Sequence, residues 1–356
     1  HPGDLYIGGR WAPPRDGGMI EVISPDTERV VARVAEAGPA DMDAAVAAAR
    51  EAFDHGPWPY LSPVERLAAF RRLIDHLRAR TAELAQCWNA QVGGLMSFAG
   101  PMHVGGLMTL DQIAGFADAF DFIEVRKSMA APAAIIAHEP VGVVAAIAPW
   151  NAPFGIMANK IAYALVTGCT VVMKPSPETP LEAYIIAEAA EAAGLPSGVV
   201  NLVTGLRDAS DHLVCNPGVD KVSFTGSTQA GRRIASVCGE RIARCTLELG
   251  GKSAAIVRDD YPIDAAAKLL SGTIIRMSGQ ICAMLSRVIV PRKRHDELAE
   301  AIAEQMKKVI MGHSTDPATQ LGPLAMKRQL ERVEGYIAEG RATADLVYGG
   351  NRPAHL

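Results

Sequence analysis

The sequence predicts an α/β protein with a parallel sheet covered by helices on both faces, followed by a second α/β unit. From residue 141 onward, short apolar strands alternate with helices, and this order is typical of a parallel sheet. The alternation restarts after residue 250, which indicates the second unit. The length of 356 residues exceeds the usual size of one hydrophobic core, so two or more domains are expected.

The region before residue 140 is predicted from caps and turns. Asp41 is predicted as the N-cap of an alanine-rich helix. Ser62 is predicted as the N-cap of a long helix, with Glu65 completing a capping box. Residues 93–106, rich in Gly and Met, are predicted as a loop or helix junction. The other elements expected here are strands at 5–7, 21–23 and 30–34, helices at 41–53 and from 62 past 84, and a hairpin of 122–126 with 134–138.

The alternating region supplies the sheet, whose functional residues are expected at the carboxyl ends of its strands. Its predicted strands are 143–148, 170–173, 199–203 and 221–225, and its helices are 154–167, 180–193 and 227–237. The second unit is predicted to hold helices at 263–276, 294–311 and 325–339, a strand at 287–290 and a strand-like segment at 344–348.

Composition favours a small-molecule substrate. The net charge is −4 and basic residues are scattered, so neither a nucleic acid nor a membrane surface is expected as a partner. No apolar run reaches the roughly 18 residues of a membrane span. The six cysteines form no C-x-x-C pair and the nine histidines no i, i+4 pair, so no metal site is expected. Free thiols favour a cytoplasmic location.

Three residues from separate segments carry candidate chemistry. Cys282 follows a small, flexible segment, Glu248 interrupts an apolar and glycine-rich run, and Asn151 lies between two prolines. A thiol, a carboxylate and a rigidly held amide are the groups needed to attack a carbonyl, stabilise its oxyanion and hydrolyse the product. The alternatives are that Cys282 is an inert cysteine and that Glu248 only accepts from a backbone N–H. Both alternatives would have to be true at the same time for the chemical interpretation to fail.

Two strand ends are candidates for binding a dinucleotide, although no strand is followed by a G-x-G-x-x-G motif. Lys174, at the end of a buried strand and fixed by prolines, is placed to meet a ribose or phosphate; the alternative is a solvated charge at a strand end. Free N–H groups near Ser227 could face a pyrophosphate. There the alternative is that Ser227 or Thr228 is only an N-cap.

Together these segments resemble the aldehyde dehydrogenase superfamily, in its NAD(P)-dependent, non-acylating type. The resemblance rests on PWNAPF at 149–154, KPSPETP at 174–180, FTGST at 224–228, LELGGK at 247–252 and GQIC at 279–282, and covers almost the whole chain. It implies an aldehyde dehydrogenase-like fold with an NAD(P)-binding domain at 1–121 and 140–249, an oligomerisation hairpin at 122–139, and a catalytic domain at 250–356.

The resemblance also implies roles for the candidate residues. Cys282 would attack the aldehyde to give a thiohemiacetal, with the oxyanion held by the Asn151 amide and the Cys282 backbone N–H. Hydride transfer to the nicotinamide leaves a thioester, and Glu248 would activate the water that hydrolyses it. Lys160 matches a lysine that helps to relay the proton, with a plain helix charge as the alternative. The implied cofactor contacts are Ile147, Trp150, Lys174, Ser176, Gly226, Ser227 and Leu249.

Two departures from the family pattern matter. NAD is slightly favoured as the cofactor, but Pro177 stands where NAD-specific members often carry a ribose-binding glutamate, so NADP is expected to be tolerated. An E-x-F-G-P segment and the strand that completes a neighbouring subunit's sheet are missing before residue 356. We therefore expect the C-terminal part of the catalytic domain to be missing, weak or no turnover by this chain alone, and a homodimer or homotetramer for the complete chain.

Competing interpretations remain at this stage. A coenzyme A-acylating dehydrogenase would generally lack the catalytic glutamate, and a non-catalytic member with a structural or binding role would have lost Cys282 or Glu248. Residues 105–116 and 154–158, with Ile281 and Ala283, are expected to line a mostly apolar substrate pocket. They favour an apolar aliphatic or aromatic aldehyde.

Overall fold

The computed structural model describes residues 1–353, which form two compact units. The first unit comprises His1–Val22, Ala32–Cys87 and Gly100–Glu248. The second comprises Ile23–Val31, Trp88–Ala99 and the described residues from Leu249 onward. Residues 354–356, at the end of the predicted catalytic domain, lie outside the described residues.

From residue 143 onward, strands and helices alternate in the described residues, and most of these elements were predicted. The strands are β1 (Leu5–Ile7), β2 (Arg10–Ala12), β3 (Gly18–Ile23), β4 (Val30–Glu36), β5 (Ile123–Arg126), β6 (Ala134–Ala137), β7 (Val143–Ile147), β8 (Thr170–Lys174), β9 (Val200–Leu202), β10 (Lys221–Gly226), β11 (Arg244–Leu249), β12 (Ala254–Ile256) and β13 (Arg287–Ile289). The helices are α1 (Pro39–Asp54), α2 (Pro63–Ala79), α3 (Thr81–Val92), α4 (Met96–Asp118), α5 (Pro153–Val166), α6 (Leu181–Ala192), α7 (Arg207–Cys215), α8 (Thr228–Glu240), α9 (Ile263–Ile274), α10 (His295–Met306) and α11 (Lys327–Thr343).

The first unit is built on a seven-stranded sheet in the order β11-β10-β7-β8-β9-β1-β2. Strands β10, β7, β8 and β9 run parallel, and β1 and β2 are antiparallel additions at one edge. Every residue of β7 and β8 is buried, as expected for central parallel strands covered on both faces. The predicted parallel sheet is confirmed. Ile147 pairs with both Lys174 and Phe224, so β7, β8 and β10 end at the same edge.

Of the two predicted helix N-caps, one is correct and one is wrong. Ser62 caps α2 as predicted: its Oγ accepts from the Glu65 N–H at 3.3 Å, and the Glu65 carboxylate accepts from the Ser62 N–H at 2.8 Å. Asp41 does not cap α1. The N-cap is Gly38, since Pro39 opens the helix, and Asp41 lies in the first turn, where its carboxylate accepts from the Gly38 N–H at 3.0 Å.

Residues 93–95 form the predicted helix junction between α3 and α4, but the loop alternative is wrong for 96–106, because α4 begins at Met96. The glycines in this segment suggested a loop, but Gly106 lies within α4 and allows the helix to pack closely against Phe154. A Cβ at this position would lie 3.1 Å from the Phe154 ring. Leu107, Leu110 and Ile113 recur at helical spacing and are buried. Tertiary packing thus outweighs the low helix propensity of the glycines.

Other elements differ from the prediction in their limits or their presence. The predicted long helix from residue 62 is divided into α2 and α3 at Arg80. Helix α7 and strand β11 were not predicted, and residues 344–348 form no strand. The hairpin of β5 and β6 is confirmed, with Ile123 paired to Ala137.

The core of the first unit contains an ionisable pair. His103 on α4 and Glu182 in the first turn of α6 have fully buried side chains, and the His103 Nε2 lies 2.7 Å from the Glu182 Oε1. The His103 ring also lies against Phe154 of α5, with centroids 5.4 Å apart. The pair therefore links α4 to α6 beside the start of α5.

The second unit combines segments that are distant in sequence. Strands β12 and β13 pair in parallel, and a small core including Val257, Leu270 and Leu298 packs beneath them. Ser314 forms hydrogen bonds with three residues that lie far from it in sequence. Its N–H donates to the Asp26 carboxylate at 2.9 Å, its Oγ accepts from the Asn89 side chain at 2.6 Å, and its carbonyl accepts from the Met96 N–H at 2.9 Å.

Candidate active site

The loop between β7 and α5 holds two of the predicted residues at the carboxyl edge of the sheet. Trp150 and Asn151 lie in this loop and are half-buried, and Pro153 begins α5 immediately afterwards. Proline at the first helical position fixes the backbone there. Asn151 is thus positioned by a buried strand on one side and a helix start on the other.

Lys160 and Glu248 are brought together within the first unit. Lys160 on α5 is only 9% exposed, and its Nζ donates to the Ser223 Oγ at 3.1 Å. Burial lowers the pKa of Lys160 to about 8, and the nearby Glu248 carboxylate opposes this shift. Glu248 itself is an exposed residue of β11. The two residues are therefore within electrostatic range, although α5 and β11 are far apart in sequence.

Burial of Lys160 predicts a pH-dependent gain when its charge is removed. The folded-state pKa of about 8 lies below the ordinary 10.5, so between these values the unfolded chain binds more protons and folding becomes more favourable as pH rises. Lys160→Met should therefore be more stable than the parent by roughly 1–3 kcal/mol at pH 7, with the difference disappearing above about pH 10.5. Urea unfolding at the two pH values measures this.

Lys268→Met, which alters an exposed lysine, is the control and should change the free energy of unfolding by less than about 0.5 kcal/mol. A Lys160→Met difference that does not depend on pH would contradict the interpretation.

Lys174 is buried and does not extend into solvent. It is 6% exposed at the end of β8, and burial lowers its pKa to about 8, with Glu178 opposing the shift. Ser176 donates a short hydrogen bond from its Oγ to the Glu178 carboxylate. The predicted alternative of a solvated strand-end charge is therefore wrong. The Glu178 carboxylate lies beside both of these predicted cofactor residues.

The start of α8 is capped by Ser227, whose Oγ accepts from the Ala230 N–H at 3.2 Å. The N-cap interpretation of this serine is therefore correct, and a cofactor contact there stays a prediction. Gly226 is required by packing, since a Cβ would lie 2.4 Å from the Phe224 ring.

Two buried hydroxyls fit the presence of a ligand at these strand ends. The Oγ1 atoms of Thr179 and Thr225 are buried without a hydrogen-bond partner, and each belongs to one of the two predicted cofactor motifs. Unpaired buried polar atoms are rare and commonly mark a site for an ion, a water or a ligand. Hydroxyls, a buried lysine and free helix N–H groups are suitable donors for a dinucleotide.

In the second unit, Cys282 follows a run of left-handed backbone. Met277, Ser278 and Gly279 have φ values of 48°, 56° and 74°. The two non-glycine residues each cost on the order of 1 kcal/mol in this region. Such conformations persist only where surrounding contacts enforce them, and they concentrate at functional sites.

Side-chain hydrogen bonds enforce that backbone. Gln280 bridges two segments: its Nε2 donates to the Met277 carbonyl at 3.0 Å, and its Oε1 accepts from the Ala325 N–H at 2.9 Å. Ser278 donates from its Oγ to the Gly322 carbonyl at 2.9 Å. The Cys282 side chain is exposed just beyond this braced segment. Sequence reasoning missed the contacts with Gly322 and Ala325 because these residues lie more than 40 positions from Ser278 and Gln280.

Nine of the predicted site residues lie in the first unit and two in the second. The second-unit residues are Cys282 and Leu249, which is half-buried at the end of β11. In the described residues, no three His, Cys, Asp or Glu side chains form a group that could hold a metal. Among the helices within residues 1–353, none is both long and apolar enough to cross a membrane.

The chain matches the model of the aldehyde dehydrogenase family over residues 11–356. A geranial dehydrogenase from Castellaniella defragrans is 40% identical over 349 residues, covering 98% of this chain and 73% of the relative. A hydroxyisobutyraldehyde dehydrogenase from Mycolicibacterium austroafricanum is 36% identical over 353 residues, covering 98% of this chain and 69% of the relative.

Solved structures agree with these sequence matches. A Mycobacterium tuberculosis aldehyde dehydrogenase in complex with NAD+ superposes with a TM-score of 0.95 at 41% identity, covering 99% of this chain and 73% of that one. A mutant aldehyde dehydrogenase C from Pseudomonas syringae, in complex with NAD+ and octanal, gives 0.94 at 35% identity, covering 99% and 72%.

The parallel sheet and these matches place the protein among α/β oxidoreductases. The chain belongs to the aldehyde dehydrogenase family. The predicted family resemblance and fold class are confirmed.

Proposed function

We propose that this protein oxidises an apolar aldehyde to a carboxylic acid through a covalent intermediate on Cys282. Family membership supports NAD(P)-dependent aldehyde oxidation. The observation that carries the assignment of the nucleophile is the exposed Cys282 thiol directly after a braced, left-handed segment. Each residue role below is part of the proposal.

The first step is attack of the Cys282 thiolate on the aldehyde carbon, which forms a carbon–sulfur bond and places negative charge on the carbonyl oxygen. The Asn151 side-chain amide and the Cys282 backbone N–H are assigned to that oxygen. Loss of one such donor typically costs about 10²–10³ in rate. Bound nicotinamide dinucleotide supplies the hydride acceptor, after which the acyl group remains on Cys282 as a thioester.

The second step is hydrolysis of that thioester, with Glu248 taking a proton from water. An exposed carboxylate on β11 is reached by water, and Lys160 lies within electrostatic range of it. Because Lys160 is buried with its pKa lowered to about 8, it can exchange a proton near neutral pH. We assign Lys160 to proton relay with Glu248. A hydrolytic glutamate does not favour acyl transfer to coenzyme A.

Glu248→Gln tests this function. The variant should form the thioester but hydrolyse it roughly 10²–10⁴-fold more slowly, because it lacks the base. Intact-protein mass measured after mixing with aldehyde and cofactor should show an added acyl group, which maps to Cys282 on digestion. The parent should show little of this adduct during turnover.

Coenzyme A separates the two reaction types. In the parent, reduction of the cofactor should not depend on coenzyme A, and the acid should be the product. Strict dependence on coenzyme A, with Glu248→Gln as active as the parent, would establish the acylating reaction and contradict the proposal.

The proposed substrate class is apolar aliphatic or aromatic aldehydes. On the first unit, the predicted pocket segments lie on α4 and α5, and Phe154 is buried among apolar residues. The relatives named for geranial and solved with octanal support the same class for this chain. A panel of aldehydes of increasing chain length, compared by kcat/KM, tests it; preference for charged aldehydes would oppose it.

We propose NAD as the preferred cofactor, with NADP used less efficiently. Glu178 carries a negative charge beside Lys174 and Ser176 and would repel a 2′-phosphate there. Glu178→Gln should raise kcat/KM for NADP relative to NAD by about tenfold, equal to about 1.4 kcal/mol. Steady-state kinetics with both cofactors measure this.

Glu240→Gln removes one exposed charge at the end of α8 and is the matched control, with an unchanged cofactor ratio. If Glu178→Gln leaves the ratio unchanged as well, the 2′ position does not face this carboxylate. A parent preference for NAD near a thousandfold, about 4 kcal/mol, would contradict tolerance of NADP.

The proposed assembly is a homodimer or homotetramer in the cytoplasm. The β5–β6 hairpin exposes Ile123, Val125 and Ile135, and exposed apolar clusters commonly mark interfaces.

A further inference from the structure

We propose that Ser223 is a positioning residue for the proton relay of Glu248 and Lys160, because its hydroxyl holds the Lys160 amine in both of its charge states. The inference rests on the proposed function and adds a residue that lies outside the motifs identified in the sequence. Ser223 is the third residue of β10, and Lys160 lies on α5. The two are far apart in sequence, so only the fold brings them together.

The contact between the two side chains is direct and buried. The Lys160 Nζ donates to the Ser223 Oγ at 3.1 Å, and each residue is only 9% exposed. Water competes little for polar atoms in such a position, so this hydrogen bond is stronger than the same bond at the surface. The Ser223 Oγ therefore fixes the position of the amine against β10.

The contact lies close to the carboxyl edge of the sheet. Side chains alternate along a strand, so Ser223 shares a face of β10 with Thr225, whose buried Oγ1 makes no hydrogen bond. Strand β11 adjoins β10 and follows it through α8, as parallel neighbours do. Glu248 is the fifth of six residues in β11, as Thr225 is in β10. The Lys160 amine is thus held beside the strand that is next to Glu248.

A hydroxyl suits a lysine that changes its charge. The ammonium form has only donors, whereas the neutral amine also carries a lone pair that accepts a hydrogen bond. A serine hydroxyl both donates and accepts. Ser223 can therefore accept from the ammonium and donate to the neutral amine, so the contact persists on both sides of a proton transfer. A carbonyl or carboxylate oxygen would lose half of this function, because it only accepts.

The contact acts in hydrolysis of the Cys282 thioester. Water adds its oxygen to the thioester carbon, the carbon–sulfur bond breaks, and Cys282 leaves as the thiolate. The proton lost by water passes to the Glu248 carboxylate and then to the neutral amine of Lys160, which becomes an ammonium. Because Ser223 restrains that amine, the proton acceptor is already in place when Glu248 must be regenerated.

The charges around Lys160 give the direction of the expected pH effect. Burial lowers the pKa of Lys160 to about 8, Glu248 on β11 opposes this shift, and Lys221 on β10 adds to it. The bond that Ser223 accepts from the ammonium is stronger than the bond it makes to the neutral amine, since charge-assisted hydrogen bonds are the stronger kind. Loss of the hydroxyl should therefore lower the pKa of Lys160 further.

The test measures thioester hydrolysis without hydride transfer. p-Nitrophenyl hexanoate, an activated ester, acylates the Cys282 thiol and releases p-nitrophenolate; digestion and mass spectrometry map the adduct. Its decay is followed by intact-protein mass from about pH 6 to about pH 10. The parent rate should rise with pH around a midpoint near 8, where Lys160 loses its proton. Ser223→Ala should be roughly tenfold slower, with a midpoint about one pH unit lower.

Two further variants separate the hydroxyl from the volume of the side chain. Ser223→Thr keeps the hydroxyl and should restore both rate and midpoint, whereas Ser223→Val has the same shape without it and should behave like Ser223→Ala. This pair decides the question even if alanine disturbs the packing. Thr170→Val is the control: it removes a buried hydroxyl that donates to the Ala49 carbonyl at 2.9 Å at the start of β8, and it should leave rate and midpoint unchanged.

Combination with Lys160→Met distinguishes positioning from a general structural role. In that background Ser223→Ala should change the rate by less than about twofold, since no amine is left to position. A further tenfold loss there, or an unshifted midpoint in Ser223→Ala, would overturn the inference while leaving the proposed function intact. Parent-rate hydrolysis by both Glu248→Gln and Lys160→Met would instead contradict the proposed function, and the inference with it.

Discussion

Cys282→Ala should reduce aldehyde oxidation by at least roughly 10³-fold, since no covalent intermediate can form without the thiol. The free energy of unfolding should change by less than about 0.5 kcal/mol, because the side chain is exposed and contributes little to packing. Cofactor reduction measured with a saturating apolar aldehyde gives the first quantity, and urea unfolding gives the second. The combination distinguishes loss of chemistry from loss of fold.

Cys215→Ala provides the comparison, since Cys215 is also exposed but lies on α7 of the first unit. It should retain parent activity. Full activity in Cys282→Ala would show that another group attacks the aldehyde, and the proposed mechanism would then be wrong.

The second large effect concerns stability. His103→Ala should lower the free energy of unfolding by about 3–5 kcal/mol, because it leaves the buried Glu182 carboxyl without its histidine partner and removes the contact with Phe154. Replacing both partners with leucine should recover much of the loss, since apolar side chains of similar size need no partner. Urea unfolding of the parent, the single variant and the double variant measures the three values.

His212→Ala is the matched control. His212 also pairs with a carboxylate, Asp43, at 2.8 Å, but both side chains are about half exposed. Exposed pairs contribute roughly 0–1 kcal/mol. If His103→Ala and His212→Ala lowered the free energy of unfolding equally, burial of the His103–Glu182 pair would not increase the effect of losing the histidine.

Local and periodic features were predictable from the sequence. The Ser62 and Glu65 capping box depends on residues three positions apart, so its pattern is visible directly. The central strands are continuous apolar runs between helices, and the order of these elements by itself indicates a parallel sheet. Asp41 shows the limit of the same reasoning. Aspartate is a favourable N-cap residue, but the helix begins at Pro39, two positions before it.

Features that depend on distant partners were not predictable. Gly106 resembles a loop residue until the Phe154 ring is found beside it. The position of the Glu178 carboxylate beside Lys174 depends on tertiary structure, and so does the hydrogen bond from the Ala325 N–H to the Gln280 Oε1. At the candidate site, motifs identified the reacting groups, whereas the residues that hold those groups were determined by tertiary structure.

The composition of the second unit has a consequence for synthesis. Asp26, Asn89 and Met96 leave the ribosome long before Ser314, the residue to which all three are hydrogen-bonded. At about 5–20 residues per second, the early segments wait on the order of ten seconds or more for their partner. A segment beginning at Leu249 would be made without them. Supplying residues 1–248 on a separate chain should therefore be necessary for such a segment to become resistant to proteolysis.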